Sequence, residues 1–277
     1  MTTDIEQFPL LSVVIPVYNE VGTIGRVLVE VTKAVPGVAK QIIVVDDSSS
    51  DGTTQWLTRN LGQATGVWRS ILVDSDGELQ FAADGTQNTI GCSFTVIFHQ
   101  QNRGKGAAVR TGLASVSGDV VVIQDADLEY DPHDWSRMLP LITERKVADV
   151  VYGSRFYGRP HRSLYYHHYI GNRIISILFN VLYDQMLTDI EVCYKMFTCE
   201  VLRGLALTAE DFGFEIEISA QIALARRWRI YEVGISYFGR TYEEGKKINW
   251  RDGLKALFYL LKFRTQPIRR YSRVPQS

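Results

Sequence analysis

Apolar runs alternate with amphipathic segments along the first half of the chain. Residues 10–17 and 41–45 are almost continuously apolar and rich in β-branched side chains, and residues 22–35 between them repeat apolar positions at helical spacing. Further apolar runs lie at 94–98, 120–123 and 149–152. Strands that are apolar on both faces and alternate with helices indicate a parallel sheet covered on both sides. The pattern therefore predicts an α/β fold with a Rossmann-like, mostly parallel central sheet and helices on both faces.

Two regions depart from this alternation. Residues 62–92 are rich in Gly, Asp, Thr and Gln, which is typical of an inserted excursion, and a β-hairpin across Asp76-Gly77 is one form it could take. Residues 249–263 predict a C-terminal amphipathic helix, and a basic tail follows it. We expect a single domain over 1–264 that carries the 62–92 excursion, with 265–277 as the tail.

Composition narrows the class of protein. The 277 residues carry a formal net charge of −1, so no global electrostatic argument favours nucleic acid. The three cysteines are an odd number without paired spacing, which indicates reduced thiols rather than disulfides or a zinc site. We find no signal-like apolar region and no apolar run of membrane-spanning length. The chain is therefore expected in the cytoplasm, either free or peripheral at the cytoplasmic face of the membrane.

Three carboxylates follow the apolar run at 120–123. They are Asp125, Asp127 and Glu129, and alternate positions on an extended chain point the same way. Such a cluster repels itself unless a cation or raised pKa values compensate it, and oxygen ligands suit Mg²⁺ or Mn²⁺. The alternative is a solvated acidic loop.

Polar clusters also follow the first two predicted strands. Tyr18, Asn19 and Glu20 come after the first, and Asp46 and Asp47 come after the second. Because ligands of open α/β sheets bind at the carboxyl ends of the strands, these clusters and the acidic triplet predict one active site. Taken singly, each cluster could also be a helix start or a capped turn.

These residues resemble the family 2 glycosyltransferases with the GT-A fold, and among them the dolichyl- or polyprenyl-phosphate hexose synthases. The resemblance covers roughly residues 10–264, with 62–92 as an insertion. In chain order, its segments are VIPVYNE at 14–20, VDDSSSDGT at 45–53, NRGKG at 102–106, QDADLE at 124–129, GSRF at 153–156, and TD at 188–189 with CYK at 193–195.

The resemblance implies roles on the donor side. It places Pro16, Tyr18, Glu20, Asp46 and Asp47 at the nucleotide. It makes Asp125 and Asp127 the DxD pair that binds the metal and the donor diphosphate, with Asp127 catalytic, and Glu129 a third metal ligand. Lys105 would reach the nucleotide or its phosphates, although a surface lysine at a helix start is the alternative.

The resemblance also implies roles on the acceptor side. Arg155 would neutralise phosphate as a catalytic and acceptor-binding residue, and Asn172 and Arg173 would contact the acceptor phosphate. Asp189 is the first candidate for activating or positioning the acceptor. Glu215 and Glu217 come next, and helix-start acids are their alternative.

The polar segment 239–248 lies between a predicted strand and a predicted helix. We expect it to be a mobile loop that closes over the donor diphosphate with Arg240, Lys246 and Lys247 as its cations. A solvated basic turn is the alternative.

The predicted function is an inverting, metal-dependent glycosyltransferase that uses Mg²⁺ or Mn²⁺. UDP-glucose or another UDP-hexose is the first choice of donor and GDP-mannose the second, and a polyprenyl or dolichyl phosphate is the expected acceptor. The 249–263 helix could contact the membrane, or it could simply cover the core. A soluble or polysaccharide hydroxyl acceptor, a non-catalytic nucleotide-sugar-binding module and a nucleotidyltransferase remain as alternatives.

Overall fold

The computed structural model describes residues 9–62, 67–74, 77–83, 91–158, 160–162, 165–241, 243 and 250–265. Its strands are β1 (Leu11–Val17), β2 (Lys40–Asp46), β3 (Val67–Val73), β4 (Leu79–Ala83), β5 (Cys92–Phe98), β6 (Val120–Ile123), β7 (Val150–Ser154), β8 (Lys195–Thr198) and β9 (Ile230–Gly234). Its helices are α1 (Ile24–Lys33), α2 (Thr53–Leu61), α3 (Lys105–Leu113), α4 (Trp135–Thr143), α5 (Tyr166–Tyr183), α6 (Cys199–Arg203), α7 (Gly213–Ala225) and α8 (Trp250–Thr265). A short 3-10 turn, Pro132–Asp134, precedes α4.

The described strands form one sheet in the order β4-β3-β5-β2-β1-β6-β8-β7-β9. Its centre, β5-β2-β1-β6, is parallel, and β7 pairs with β9 in parallel. Every residue of β1 is buried, as expected for a strand covered on both faces. The mostly parallel α/β sheet predicted from the sequence is confirmed.

Residues 67–83 contain the hairpin that the sequence allowed. β3 and β4 pair antiparallel from Trp68↔Ala83 to Val73↔Leu79, and β3 also pairs antiparallel with β5. The described strands of the excursion thus extend the edge of the sheet. Trp56 of α2 ties the hairpin down, because its indole N–H donates to the Gly77 carbonyl at 3.0 Å.

Strand β8 is the element that the apolar pattern did not predict. It is four residues long, begins with Lys195, and runs antiparallel between β6 and β7. The Lys195 side chain is fully buried, and its ammonium group contacts the Val192 carbonyl and the Glu215 carboxylate. A charged residue can occupy such a core position only when it is paired in this way.

Three helices after residue 155, α5, α7 and α8, pack against one another. α7 packs against α8 and contacts α3 and α5. Nearly all residues of α7 from 213 to 223 are buried, so it is a core helix, not an amphipathic surface helix. α5 and α8 also pack together, and the Tyr183 hydroxyl of α5 donates to the Leu260 carbonyl of α8 at 2.8 Å.

Candidate active site

Strands β1, β2 and β6 end at one edge of the sheet. Val17 pairs with Asp46 across β1 and β2, and Val14 pairs with Ile123 across β1 and β6. A non-glycine residue with positive φ follows each strand: Asn19 (54°), Ser48 (62°) and Leu128 (62°). Such residues are uncommon and mark tight, constrained turns. Each strand therefore turns sharply as it leaves the sheet, and the three polar clusters meet there.

A cavity of about 390 Å³ opens at this edge, and we call it the strand-edge cavity. It is lined by Pro16, Val17, Tyr18, Glu20, Asp47, Asn102, Gly104, Lys105, Ala108, Asp125, Ala126, Asp127, Glu129, Tyr130, Arg155, Glu191, Cys193, Phe212, Glu215, Tyr237 and Arg240. Most of the predicted nucleotide-binding and metal-binding residues thus surround one space.

Asp47 anchors the loop that leads into α3. Its carboxylate accepts hydrogen bonds from the backbone N–H groups of Arg103 at 3.0 Å and Gly104 at 2.7 Å. His99 Nδ1 lies 2.7 Å from the same carboxylate. Gly104 has φ +94°, and a Cβ there would lie 2.5 Å from the Glu210 carbonyl oxygen. Only glycine allows this approach of backbone to backbone, and the approach sets where Lys105 begins α3.

Asp46 has a different position from the one the resemblance implied. Its side chain is buried, and it accepts hydrogen bonds from the hydroxyls of Ser49 and Thr54. Asp46 is not among the residues that line the strand-edge cavity. Asp46 shapes the turn after β2, while its neighbour Asp47 faces the cavity.

Lys105 is the cation at the floor of the strand-edge cavity. Its ammonium nitrogen lies 2.7 Å from Asp125 Oδ1 and 3.7 Å from Glu215 Oε1. Burial alone would lower the pKa of Lys105, but the nearby carboxylates outweigh it and hold the pKa well above its ordinary value. Lys105 is therefore charged at neutral pH.

Arg240 lies among three carboxylates on the opposite wall. Its guanidinium group is 3.1 Å from Glu20, 3.1 Å from Asp127 and 3.4 Å from Glu129. The Tyr237 hydroxyl also donates to Glu129 at 2.8 Å. Burial, and then the charges of its acidic neighbours, raise the pKa of Asp127 to about 7. This site therefore carries more negative charge than its own cations offset.

The acidic triplet does not converge as an extended strand would arrange it. Among the described residues, no three carboxylate, imidazole or thiolate groups form a cluster able to hold a metal ion. Asp125 contacts Lys105, whereas Asp127 and Glu129 both contact Arg240, and Glu129 also accepts a hydrogen bond from Tyr237. Mg²⁺ usually needs only one or two carboxylates, together with phosphate and water oxygens. Asp125 and Asp127 line the same cavity and meet that requirement.

The net negative charge of the cavity wall also favours a bound cation. Within the described part of the chain, the wall carries three basic side chains and seven acidic ones. The basic ones are Lys105, Arg155 and Arg240, and the acidic ones are Glu20, Asp47, Asp125, Asp127, Glu129, Glu191 and Glu215. A polyanion would be repelled by this wall unless a further cation accompanied it.

A second cavity, of about 550 Å³, adjoins the first, and we call it the aromatic cavity. Its wall comprises Arg155, Phe156, His161, Arg162, Tyr165, Tyr166, His168, Tyr169, Asn172, Glu191, Asp211, Phe212, Gly213, Glu215, Ile216, Tyr237, Lys255, Ala256 and Tyr259. Five residues line both cavities: Arg155, Glu191, Phe212, Glu215 and Tyr237. The two cavities thus share a wall.

Arg155 and Asp189 form a buried ion pair at this shared wall. Nε and Nη2 of Arg155 lie 2.7 Å from the two Asp189 carboxylate oxygens, and the Arg155 backbone N–H donates to one of them at 3.1 Å. Asp189 is fully buried and, of these two residues, only Arg155 lines the cavities. In this arrangement Asp189 positions Arg155 and does not itself face the cavities.

Of the remaining predicted residues that the structure describes, one lines the aromatic cavity and the others do not. Asn172 of α5 lines the aromatic cavity, whereas the Arg173 guanidinium group donates to the Thr188 carbonyl at 3.2 Å and lies over the Phe156 ring. Glu217 is buried and accepts from the backbone N–H groups of residues 208 and 209, so it braces that segment. Lys246 and Lys247 lie outside the described residues.

Sequence reasoning missed Glu191, Phe212 and Tyr237, which all belong to the shared wall. Glu191 stands two residues after Asp189, and this repeated acidic spacing is the signal that could have indicated it. No comparable signal marks the two aromatic residues.

Comparison with known proteins identifies the family. A sequence model of the family described as "Glycosyl transferase family 2" matches residues 12–67 and 56–205. An undecaprenyl-phosphate mannosyltransferase of Micrococcus luteus is 26% identical over 240 residues, covering 84% of this chain and 85% of that protein. A dolichyl-phosphate β-glucosyltransferase of Saccharomyces cerevisiae is 26% identical over 247 residues, covering 82% of this chain but 66% of that protein. The chain spans only 56% and 55% of two glycosyltransferases of Haloferax volcanii.

Among solved structures, the chain is similar to glucosyl-3-phosphoglycerate synthase from Mycobacterium tuberculosis in complex with Mn²⁺, UDP and phosphoglyceric acid. The TM-score is 0.64 at 19% identity, and the match covers 94% of this chain and 80% of that one. This likeness confirms the predicted fold. The match of the family model over most of the chain establishes that this protein belongs to glycosyl transferase family 2.

Proposed function

We propose that this enzyme transfers a hexose from a nucleotide sugar to a polyprenyl phosphate with inversion at the anomeric carbon. The observation that carries the proposal is the pair of cavities that share a wall, since a transferase must hold its donor and acceptor side by side. The relatives act, by name, on undecaprenyl phosphate and dolichyl phosphate. One is a mannosyltransferase and the other a glucosyltransferase, so UDP-glucose and GDP-mannose both remain candidate donors.

The strand-edge cavity is proposed to hold the donor. Pro16, Tyr18 and Asp47 on its wall would contact the nucleoside, and Lys105 and Arg240 would face the diphosphate. Breaking the glycosidic bond increases the charge on the departing diphosphate, so fixed cations favour the transition state over the ground state. Asp125 and Asp127, with Glu129 beside them, would hold a divalent metal ion that offsets this charge.

The aromatic cavity is proposed to hold the acceptor. Arg155, at the shared wall, would place the acceptor phosphate against the donor sugar, because its own orientation is fixed by Asp189. Tyr165, Tyr169 and Tyr259 supply apolar surface for the first units of a lipid chain. A lipid phosphate is already ionised and needs no strong base to attack the anomeric carbon.

Helices α5 and α8 provide the surface through which such a lipid would arrive. Each carries a stripe of exposed apolar residues at helical spacing: Tyr166, Tyr169, Ile170, Ile174, Ile177, Leu178 and Val181 on α5, and Leu254, Leu257, Phe258 and Leu261 on α8. Exposed apolar stripes of this size mark interaction surfaces. Lys255, Lys262 and Arg264 accompany the α8 stripe, and cations beside apolar side chains favour anionic membrane surfaces. In the part of the chain that the structure describes, no helix is long and apolar enough to span a bilayer.

A second candidate keeps the fold and donor but transfers the sugar to a hydroxyl group. A hydroxyl acceptor needs a base, and the half-buried carboxyl group of Glu191 at the shared wall is the observation that favours this reaction. The choice between a lipid phosphate and a hydroxyl acceptor therefore depends on whether Glu191 acts as a general base.

The test is release of nucleoside diphosphate. Purified protein is incubated with Mg²⁺ or Mn²⁺ and either UDP-glucose or GDP-mannose, with and without a short polyprenyl phosphate. The proposal requires release that depends on the lipid and stops when the metal is chelated. If a donor binds but lipid does not increase release, the lipid-acceptor proposal is wrong and hydroxyl acceptors become the leading class.

A further inference from the structure

Glu191 occupies the junction of the two cavities and has no partner of its own among the described residues. The other polar residues of the shared wall are engaged: Arg155 with Asp189, Glu215 with Lys195 and Lys105, and Tyr237 with Glu129. The Glu191 carboxyl group forms no hydrogen bond or ion pair with any described residue, although it is half-buried and faces both cavities. A polar group left unpaired in such a position is costly unless a ligand completes it.

Two basic and two acidic side chains, from several parts of the fold, set the charge around Glu191. Arg155 follows β7, Glu215 lies on α7, Lys195 begins β8, and Asp189 lies on the same segment as Glu191. Burial raises the pKa of Glu191 to about 7, because Asp189 and Glu215 largely offset the opposing effect of Arg155 and Lys195. Near neutral pH the free enzyme therefore contains both the protonated and the ionised form.

We propose that the protonated carboxyl group of Glu191 donates a hydrogen bond to the anionic acceptor phosphate, so that acceptor binding depends on the protonation state of this residue. The inference rests on the proposed function. An ionised Glu191 would instead repel the phosphate that Arg155 attracts across the same wall. No atom is transferred: the proton stays on Glu191 and the phosphate oxygen accepts.

The direction in which the acceptor KM changes with pH follows from the binding of the protonated form. If only the protonated form binds the acceptor, the KM for the acceptor rises as pH increases through the pKa of Glu191, with a limit of about tenfold per pH unit. Glu191→Gln should leave the pH dependence of the donor KM unchanged, because the donor phosphates face Lys105 and Arg240 and not Glu191. Glutamine has the same shape, stays neutral and keeps an N–H donor, so it mimics the protonated form at every pH.

The experiment measures the acceptor KM and kcat from pH 6 to 9 by nucleoside diphosphate release, using a short polyprenyl phosphate. It compares wild type, Glu191→Gln, Glu191→Ala and the control Glu200→Gln, an exposed residue on α6 outside both cavities. The second ionisation of the lipid phosphate affects all four proteins alike, so it cancels in the comparison. We expect wild type and the control to share one profile and the ratio of the wild-type KM to the Glu191→Gln KM to rise with pH. The Glu191→Ala KM should stay above that of Glu191→Gln by a factor that does not change with pH.

Two results would overturn this inference alone. A Glu191→Gln profile that follows wild type would show that Glu191 does not control acceptor binding. Loss of kcat in folded Glu191→Gln at every pH, while wild type keeps its lipid-dependent release, would show that Glu191 acts in the chemical step rather than in acceptor binding. By contrast, wild type without lipid-dependent release would overturn the proposed function itself, and this inference with it.

Discussion

The Arg155 guanidinium group and the Asp189 carboxylate are held together by two side-chain hydrogen bonds of 2.7 Å, and Asp189 is fully buried beneath the arginine. Two parallel hydrogen bonds between an arginine and a carboxylate fix orientation as well as distance. The aspartate thereby aims a cation at the shared wall of the two cavities.

Asp189→Asn removes the charge of this pair but keeps its shape. We expect the free energy of unfolding to fall by about 3 kcal/mol, because breaking a buried pair leaves its partner uncompensated. The KM for the acceptor should rise more than kcat falls, since Arg155 loses its orientation. Urea unfolding and steady-state kinetics check both effects. A variant with wild-type stability and KM but no turnover would instead assign Asp189 a direct part in the chemistry.

Asp127→Asn tests whether the acidic wall serves catalysis or only binding. We expect turnover to fall by at least about a hundredfold, because the diphosphate loses stabilisation that matters most in the transition state. Titration calorimetry with the nucleoside diphosphate and Mn²⁺ measures the accompanying loss of affinity. Asp131→Asn is the control, because Asp131 caps the 3-10 turn nearby and does not line the strand-edge cavity. Normal turnover by Asp127→Asn would remove this residue from the proposed mechanism.

Gly106→Ala probes how closely α3 approaches the segment before α7. A Cβ at Gly106 would lie 2.6 Å from the Ala209 carbonyl oxygen and 2.7 Å from that of Asp211, so the helix must shift and carry Lys105 with it. We expect a stability loss of about 1–3 kcal/mol and a higher KM for the donor.

Gly171→Ala is the matched control within α5, where a Cβ would meet nothing within 4 Å. It should be neutral or stabilising by up to about 1 kcal/mol. Thermal unfolding of both variants makes the comparison, and equal effects would contradict the close approach at Gly106.

Ile177→Ser combined with Phe258→Ser tests the apolar stripes of α5 and α8. Both side chains are largely exposed, so the double variant should keep its stability. Binding to vesicles that contain anionic lipid should weaken by at least about tenfold, because two apolar side chains no longer enter the membrane interface. Sedimentation with vesicles measures this loss. Leu72→Ser, at an exposed apolar position on β3, is the control, and equal binding by all three proteins would exclude the stripes from membrane contact.

Asp149 predicts a pH dependence of stability. Hydrogen bonds from Arg229 lower the pKa of Asp149 below its ordinary value of 3.8. A carboxylate with a depressed pKa contributes stability above its unfolded pKa and loses it as pH falls through the folded value. The stability difference between wild type and Asp149→Asn should therefore be full at pH 6 and shrink as pH falls below 3.8 through the lowered pKa of the folded protein. Urea midpoints across this range test it, and a difference independent of pH would contradict the assignment.

The sheet could be predicted from the sequence because β1, β2 and β6 are apolar on both faces and end in polar clusters. Local spacing could not predict that Asp125 would pair with Lys105 while Asp127 and Glu129 share Arg240, because both cations come from distant parts of the chain. Nor could it distinguish Asp46 from Asp47, since only tertiary packing decides which of two adjacent carboxylates faces the cavity. Glu191 lies in a segment without regular structure, where no periodicity indicates the direction of a side chain.

β8 runs antiparallel to β6 and β7, and its direction decides which residues it brings to the catalytic edge of the sheet. A parallel strand contributes the residues that follow it to the catalytic edge, but β8 runs the other way and contributes the residues that precede it, Asp189 to Tyr194. The residues proposed for the donor therefore come largely from the first 130 positions, and those proposed for the acceptor from positions after 150. The entry segment of β8 joins these two halves, because its Glu191 lines both cavities, and a substitution there would change the acceptor side at the point where it meets the donor.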